Sequence, residues 1–300
     1  MINNMHGRRK QRFRATVIAS LILVYFLMWV GSFVRSSGAG MGCPDWPKCF
    51  GQWIPPTHVS QLPPNYQEIY ADRGYDQIEF NPVKTWIEYL NRLTGSVIGI
   101  SVIAMFAASV YARKEIPKYS RRLCALVVAL VGFQGWLGAT VVASILTPWI
   151  ITVHMAVAIL IIILLNIILA RATGTRRPKI DVALRVATVA VVVQFILGSQ
   201  VRQMVDHGAA ATGLLAIGKI YLIHRSMSWI VLGAVGFLGV RWVRSGFTGL
   251  SLLILSPLAV QMASGIAFSQ FGLIAALQPL HLTAAAISIG TMAYAWTPPR

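Results

Sequence analysis

Three histidines stand inside strongly apolar segments of this 300-residue chain: His154, His224 and His281. Imidazole carries protons near neutral pH and is a common metal ligand. Ionisable groups within membrane-length apolar segments tend to face a bundle interior and to serve function. A single histidine of this kind has an alternative use as an interhelical hydrogen-bond partner; three at one depth argue for a ligand. Two histidines on facing helices, without a cysteine or carboxylate cluster beside them, suit the axial positions of a haem. A zinc site would want a third or fourth ligand close by. His224 and His281 make a complete pair, whereas His154 has Asn91 opposite it.

Other polar groups gather at the same level. Arg35, Arg92, Arg202 and Arg225 lie near the outer ends of apolar segments. Their forks match carboxylates such as the two propionates of a haem, or they snorkel to the interface. Glu88 lies three residues before Asn91, on the same helix face. It is either a carboxylate favoured by a helix N-terminus or a group that moves protons or stabilises positive charge beside a reacting substituent. Cys43 and Cys49 bracket the loop "GCPDWPKCFGQWIPP", as a staple or as a redox pair; five intervening residues are not thioredoxin-like spacing. Cys124 reads as packing, and His6, His58 and His207 as solvated residues of terminal or loop segments.

The elements that must position these groups follow from composition. Side chains are 56% hydrophobic and 12% charged, well short of the roughly one quarter charged in soluble domains. The apolar residues fall into eight runs, 16–34, 93–111, 123–142, 150–170, 182–201, 217–240, 249–268 and 273–295. Each has about the length needed to cross a bilayer as helix. The basic stretch before the first run resembles a signal peptide, but that run is too long and lacks a small-residue cleavage site, so it reads as a retained anchor.

Most of the 26 basic residues lie at one set of ends: the N-terminus, the loops 112–122 and 171–180, Arg241, Arg244 and Arg300. The positive-inside rule makes that face cytoplasmic, and the net charge of +17 then orients the chain rather than binding nucleic acid. The loop 36–86 lies on the other side, where a disulfide can persist, and Trp46 and Trp53 suit the membrane interface.

The runs also repeat. Gln134 precedes His154 by the same number of residues as Gln261 precedes His281; "EYLNR" matches "YLIHR", and "GSFVR" matches "GSQVR". These matches predict an all-α integral membrane protein of eight transmembrane helices, arranged as two four-helix bundles. A pseudo-two-fold axis along the membrane normal would relate the halves. The halves are 1–171, with the outer loop and the incomplete site, and 172–300, with the complete histidine pair.

With "QGWLG", "LGSQVR", "QPLHL", the histidines of the even-numbered segments and the outer cysteine pair, the chain resembles the haem A synthases of cytochrome oxidase assembly over nearly its whole length. The resemblance implies oxidation of a ring methyl of haem O to a formyl group, giving haem A for terminal oxidases. It implies a haem b cofactor on His224 and His281, a substrate haem facing His154, and Glu88 as the glutamate of a Glu-x-x-His-Arg motif. Asn91 departs from that motif, standing where the family has histidine. The setting implied is a bacterial plasma membrane with both termini cytoplasmic. Haem O synthase and an electron donor are the implied partners beside lipid, and homo-oligomerisation is left open. The loop would form a lid over the first-half site, with Cys43 and Cys49 bridged. A competing reading of the same residues is a membrane cytochrome b carrying electrons on one bis-histidine haem.

Overall fold

The structure, a computed structural model, describes residues 2–206 and 217–298. His207 and Arg300 lie outside the described residues, as does the side chain of His6. The described residues are helical, without a β-strand. The long helices are α1 (Ile2–Ser36), α3 (Pro82–Tyr111), α4 (Lys118–Ala143), α5 (Pro148–Thr173), α6 (Val182–Asp206), α7 (Lys219–Arg244), α8 (Thr248–Phe271) and α9 (Leu277–Trp296); α2 (Tyr66–Ile69) is one turn within the outer loop. Seven of them, α1 and α3 to α8, are long and apolar enough to cross a membrane. The chain is a multi-pass membrane protein by this measure. Helix α9 forms where the eighth run was expected; it is 20 residues long, carries Gln278 and His281 in its first turns, and is not among the seven.

Every helix differs from its apolar run at one or both ends, because caps and local geometry set its length. The basic residues before the first run continue α1 without a break. Helix α3 begins at Pro82, where the missing N–H costs nothing, and the Asn81 side chain accepts the Lys84 N–H at 3.1 Å. Two residues thus turn the expected end of the outer loop into the first turns of a helix, carrying Glu88 and Asn91 with them.

Helix α1 packs against α3, α5 and α9; α3 packs against α4, and α4 against α5. Helix α6 packs against α7 and α9, α7 against α8, and α8 against α9. The contact of α9 with α1 and α5 is close because residue 290 is glycine. A Cβ there would sit 2.1 Å from Tyr25 Oη and 2.6 Å from Asn166 Nδ2. Asn166, buried in that seam, donates to Ile162 O at 2.9 Å and to Tyr25 Oη at 3.2 Å. Such satisfied polar groups fix helix register in a lipid setting, where apolar burial gives little preference between helix neighbours.

Candidate functional site: imidazole seats and an anchored outer loop

The outer loop is anchored on α3. Cys43 and Cys49 are paired and fully buried, with Phe50 beside them edge-on to Tyr66, Tyr70, Tyr75 and Phe80. Asp45 accepts the N–H groups of Phe50 (2.6 Å) and Gly51 (2.8 Å). The loop then docks on α3 through charge. Glu88, 3% exposed, accepts the Cys43 N–H at 2.9 Å through Oε2 and both Nε and Nη2 of Arg92 through Oε1. Arg92 also donates to the carbonyls of Cys43 (3.1 Å), Asp45 (2.5 Å) and Lys48 (3.1 Å). Its guanidinium is filled by the loop and by Glu88. Thr85 Oγ1 donates to Gly42 O at 2.8 Å. A Cβ at residue 42 would stand 2.5 Å from Lys84 O, so the backbones meet there without room for a side chain. Tyr75 donates its hydroxyl to Met41 O. Burial, and then the charge of Glu88, push the Tyr75 phenol well above its ordinary range, which keeps it a donor.

Each histidine rests on a glycine of a neighbouring helix. His154 on α5 lays Cε1 against Gly138 of α4, 3.7 Å from where a Cβ would be. His224 on α7 lies against Gly198 of α6 at 3.1 Å, and His281 on α9 against Gly265 of α8 at 3.9 Å. Asn91 on α3 takes the matching place against Gly31 of α1, with Oδ1 at 3.7 Å. Side chains of the supporting helices hold two of these residues by their backbone: Gln134 Nε2 donates to His154 O at 3.1 Å, and Gln194 Nε2 to His224 O at 3.1 Å. Ser264 hydrogen-bonds His281 Nδ1 at 2.8 Å.

This donor set fits a haem. The Nδ1 atoms of His154 and His224 are buried with no partner, and that of His281 is taken by Ser264. Among the described residues no hydrogen bond claims an Nε2 of the three rings. A glycine beneath each ring leaves space for it to stand between helices. Among the described residues no group of three or more His, Cys, Asp or Glu is gathered as a metal cluster would need.

Asp206, at the end of α6, joins two of the expected arginines. Arg35 Nε donates to its Oδ2 at 3.0 Å, and Arg202 Nη2 lies 3.0 Å from its Oδ1. Arg202 Nη1 also donates to Gln278 Oε1 at 2.5 Å, and Arg35 Nη1 contacts Met155 Sδ at 3.5 Å. These contacts tie α1, α5, α6 and α9 together at the level of the histidines. Arg225 is exposed. Cys124 is buried in the apolar core, as packing would have it, and His58 is exposed in the loop. Sequence reasoning missed Gln194, Ser264, Asp206 and the glycines at 31 and 198 as seat residues. A signal existed: Gln-x-x-x-Gly occurs at 134–138, 194–198 and 261–265, each on the helix that precedes a histidine.

Helices of membrane-crossing length, with imidazoles seated on neighbouring helices, define a multi-pass membrane protein. A family model described as "Cytochrome oxidase assembly protein" (COX15-CtaA) matches residues 14–293, and the chain belongs to that family. Heme A synthase of Shewanella oneidensis is 28% identical over 183 residues, 61% of this chain and 52% of that protein. Heme A synthase of Sphingopyxis alaskensis is 26% identical, the alignment taking in 92% of this chain and 89% of the relative. That of Rhodopseudomonas palustris is 30% identical over 230 residues, 70% of this chain and 59% of its own length. The match thus spans about half the length of the Shewanella protein.

Proposed function

We propose that this chain is a haem A synthase, converting a methyl substituent of haem O to a formyl group, a four-electron oxidation that adds one oxygen, removes two hydrogens and draws on an external oxidant such as dioxygen. The observation that carries the reading is the asymmetry of the seats: imidazole at three and an amide at the fourth, within a family named for cytochrome oxidase assembly. In this reading α9 crosses the membrane as the eighth helix, and helices α1, α3, α4 and α5 (1–171) and α6 to α9 (172–300) form two bundles. Each set closes a ring of neighbours, α1–α3–α4–α5 and α6–α7–α8–α9, which supports the division, and α9 packs across it against α1 and α5. His224 and His281 would hold haem b, which would supply one-electron redox chemistry there. His154 takes the iron of the substrate haem.

Glu88 serves the substrate half as a fixed negative charge. Its carboxylate is held by the Cys43 N–H and Arg92, an arrangement better suited to stabilising developing positive charge than to shuttling a proton. Arg35, Arg202 and Arg225 are the guanidinium groups offered to haem carboxylates, and Arg92 fixes Glu88 under the loop. The Cys43–Cys49 pair is a structural bridge that keeps this loop compact over the first-half site. The chain sits in a bacterial plasma membrane with both termini cytoplasmic, receiving haem O from its synthase and electrons from a donor.

The test is to express the chain beside a haem O producer, extract membrane haem and identify haem A by mass. His224→Ala and His281→Ala should each abolish the low-spin haem b absorption, since each removes an axial ligand. Wild-type spectra in both variants, or haem O unconverted by an intact, haem-loaded protein, would overturn the assignment. An impermeant thiol reagent should label Cys43 and Cys49 on intact cells after mild reduction; labelling only in permeabilised cells would reverse the orientation.

A further inference from the structure

The seat at residue 91 differs from the other three in a second respect. Gln134, Gln194 and Gln261 each stand four residues before the glycine that supports a histidine. Gln134 and Gln194 fix their histidines through the backbone carbonyl, and in the seat of His281 the ring is fixed by Ser264. Four residues before Gly31 stands Leu27, and among the described residues no side chain hydrogen-bonds the backbone of Asn91 as Gln134 and Gln194 do those of His154 and His224. The glycine is kept, with Asn91 Oδ1 at 3.7 Å, so the space for a ring is kept as well. The loss of the ligand on α3 is therefore matched by the loss of its positioning residue on α1, while the cavity-forming residue between them is unchanged.

The amide is also left with unmade bonds. Asn91 Oδ1 is buried without a partner among the described residues, a condition that is costly for a polar group. With Oδ1 toward Gly31, the other end of the amide carries two N–H donors, and among the described residues no acceptor takes them. An amide is a poor ligand for iron beside imidazole, but its N–H is a good donor to a small anion or a diatomic molecule.

We propose that the Gly31–Asn91 seat is built to leave one face of the first-half haem free, with the Asn91 amide held over that face to hydrogen-bond a small exogenous ligand. This rests on the reading of His154 as the single protein ligand to that haem. Such a site is high-spin when ferric and accepts azide, whereas the His224–His281 site is closed on both faces.

The experiment uses the purified full chain loaded with haem O and haem b, with sodium azide as the probe. The ferric wild type should give a high-spin electron paramagnetic signal from one haem and a low-spin signal from the other. Azide should shift only the former, and His154→Ala should remove it. Asn91→Ala should keep the high-spin signal and weaken azide binding by roughly tenfold, the worth of one hydrogen bond. Leu27→Gln with Asn91→His rebuilds the seat, and should convert the first-half haem to low-spin and abolish the azide response. A wild-type first-half haem that is low-spin and silent to azide would overturn the open-face proposal while leaving the haem site standing. Equal azide affinity in wild type and Asn91→Ala would overturn the role of the amide. Should only the second-half haem be found in any preparation, the reading of His154 itself would fall.

Discussion

Substituting Gly198 by alanine tests the seats most directly, because one methyl group acts on one ring. The added Cβ would lie 3.1 Å from His224 Cε1, 3.7 Å from Nδ1 and 3.9 Å from Nε2. Carbon atoms settle at about 3.5–4.0 Å, so the ring or helix α6 must retreat by about half an ångström. Metal sites tolerate errors of about 0.2 Å in ligand position. Changes to groups that orient a ligand typically cost 10–100-fold in affinity, about 1.4–2.8 kcal/mol. Gly265→Ala and Gly138→Ala are the controls, since their methyl groups would meet His281 and His154 at 3.9 and 3.7 Å, ordinary contact distances.

All three changes also replace glycine by the better helix former, a gain of up to about 1 kcal/mol in a helix interior. The expected pattern is therefore specific. Haem titration of purified protein, followed by absorbance, should show Gly198→Ala weakened by roughly 10–100-fold at unchanged or raised thermal stability, with Gly265→Ala close to wild type. Equal haem affinity in Gly198→Ala and wild type would refute the seat as a positioning device. A loss of the same size in Gly265→Ala would show that something other than the 3.1 Å contact is responsible.

Four further outcomes follow from the outer face. Glu88→Gln keeps an acceptor for the Cys43 N–H but removes the charge facing Arg92. It should lose haem A formation yet keep the second-half haem spectrum, and wild-type yield would remove Glu88 from the chemistry. Glu88→Ala should be worse for the fold, because it strands a guanidinium whose side chain is only 13% exposed, a loss of roughly 3–5 kcal/mol readable as faster proteolysis of the loop. Asp206→Asn removes the carboxylate shared by Arg35 and Arg202, whose side chains are 21% and 25% exposed. The cost should be about 1 kcal/mol or less at low salt and shrink as salt rises; a salt-independent unfolding midpoint equal to wild type would deny the bridge any role. Tyr75 is held neutral in the fold, its pKa raised by burial and by Glu88. Its stabilisation of the loop is thus complete below the unfolded value of about 10 and declines as pH rises beyond it. Reduction of the Cys43–Cys49 pair by an impermeant phosphine should accelerate above that pH in wild type and lose the dependence in Tyr75→Phe.

Hydropathy located the long helices among the described residues, seven of which are long and apolar enough to cross a membrane, because lipid-length apolar runs are the strongest signal a chain of this kind carries. It misplaced their ends, because ends are set by single residues such as Asn81 and Pro82 that hydropathy does not weigh. The histidines were legible for the same reason that they are costly: an ionisable group in a membrane segment stands out against its neighbours. The seats beneath them were not legible from any one helix. Gly198 is one glycine among many until α7 brings His224 against it, and Gln194 is a polar residue in a membrane helix until its amide is seen on the His224 carbonyl. Arg92 shows the limit from the other direction. Its spacing from Glu88 announces an ion pair on one helix face, yet the remaining donors of the guanidinium go to three carbonyls of a loop more than forty residues earlier in the chain. That loop, closed by Cys43 and Cys49, is thereby fastened to the helix turn that carries Asn91. Any movement of the loop must either break the Arg92 contacts or carry Glu88 with it, so the loop and the Glu88 carboxylate move as one body.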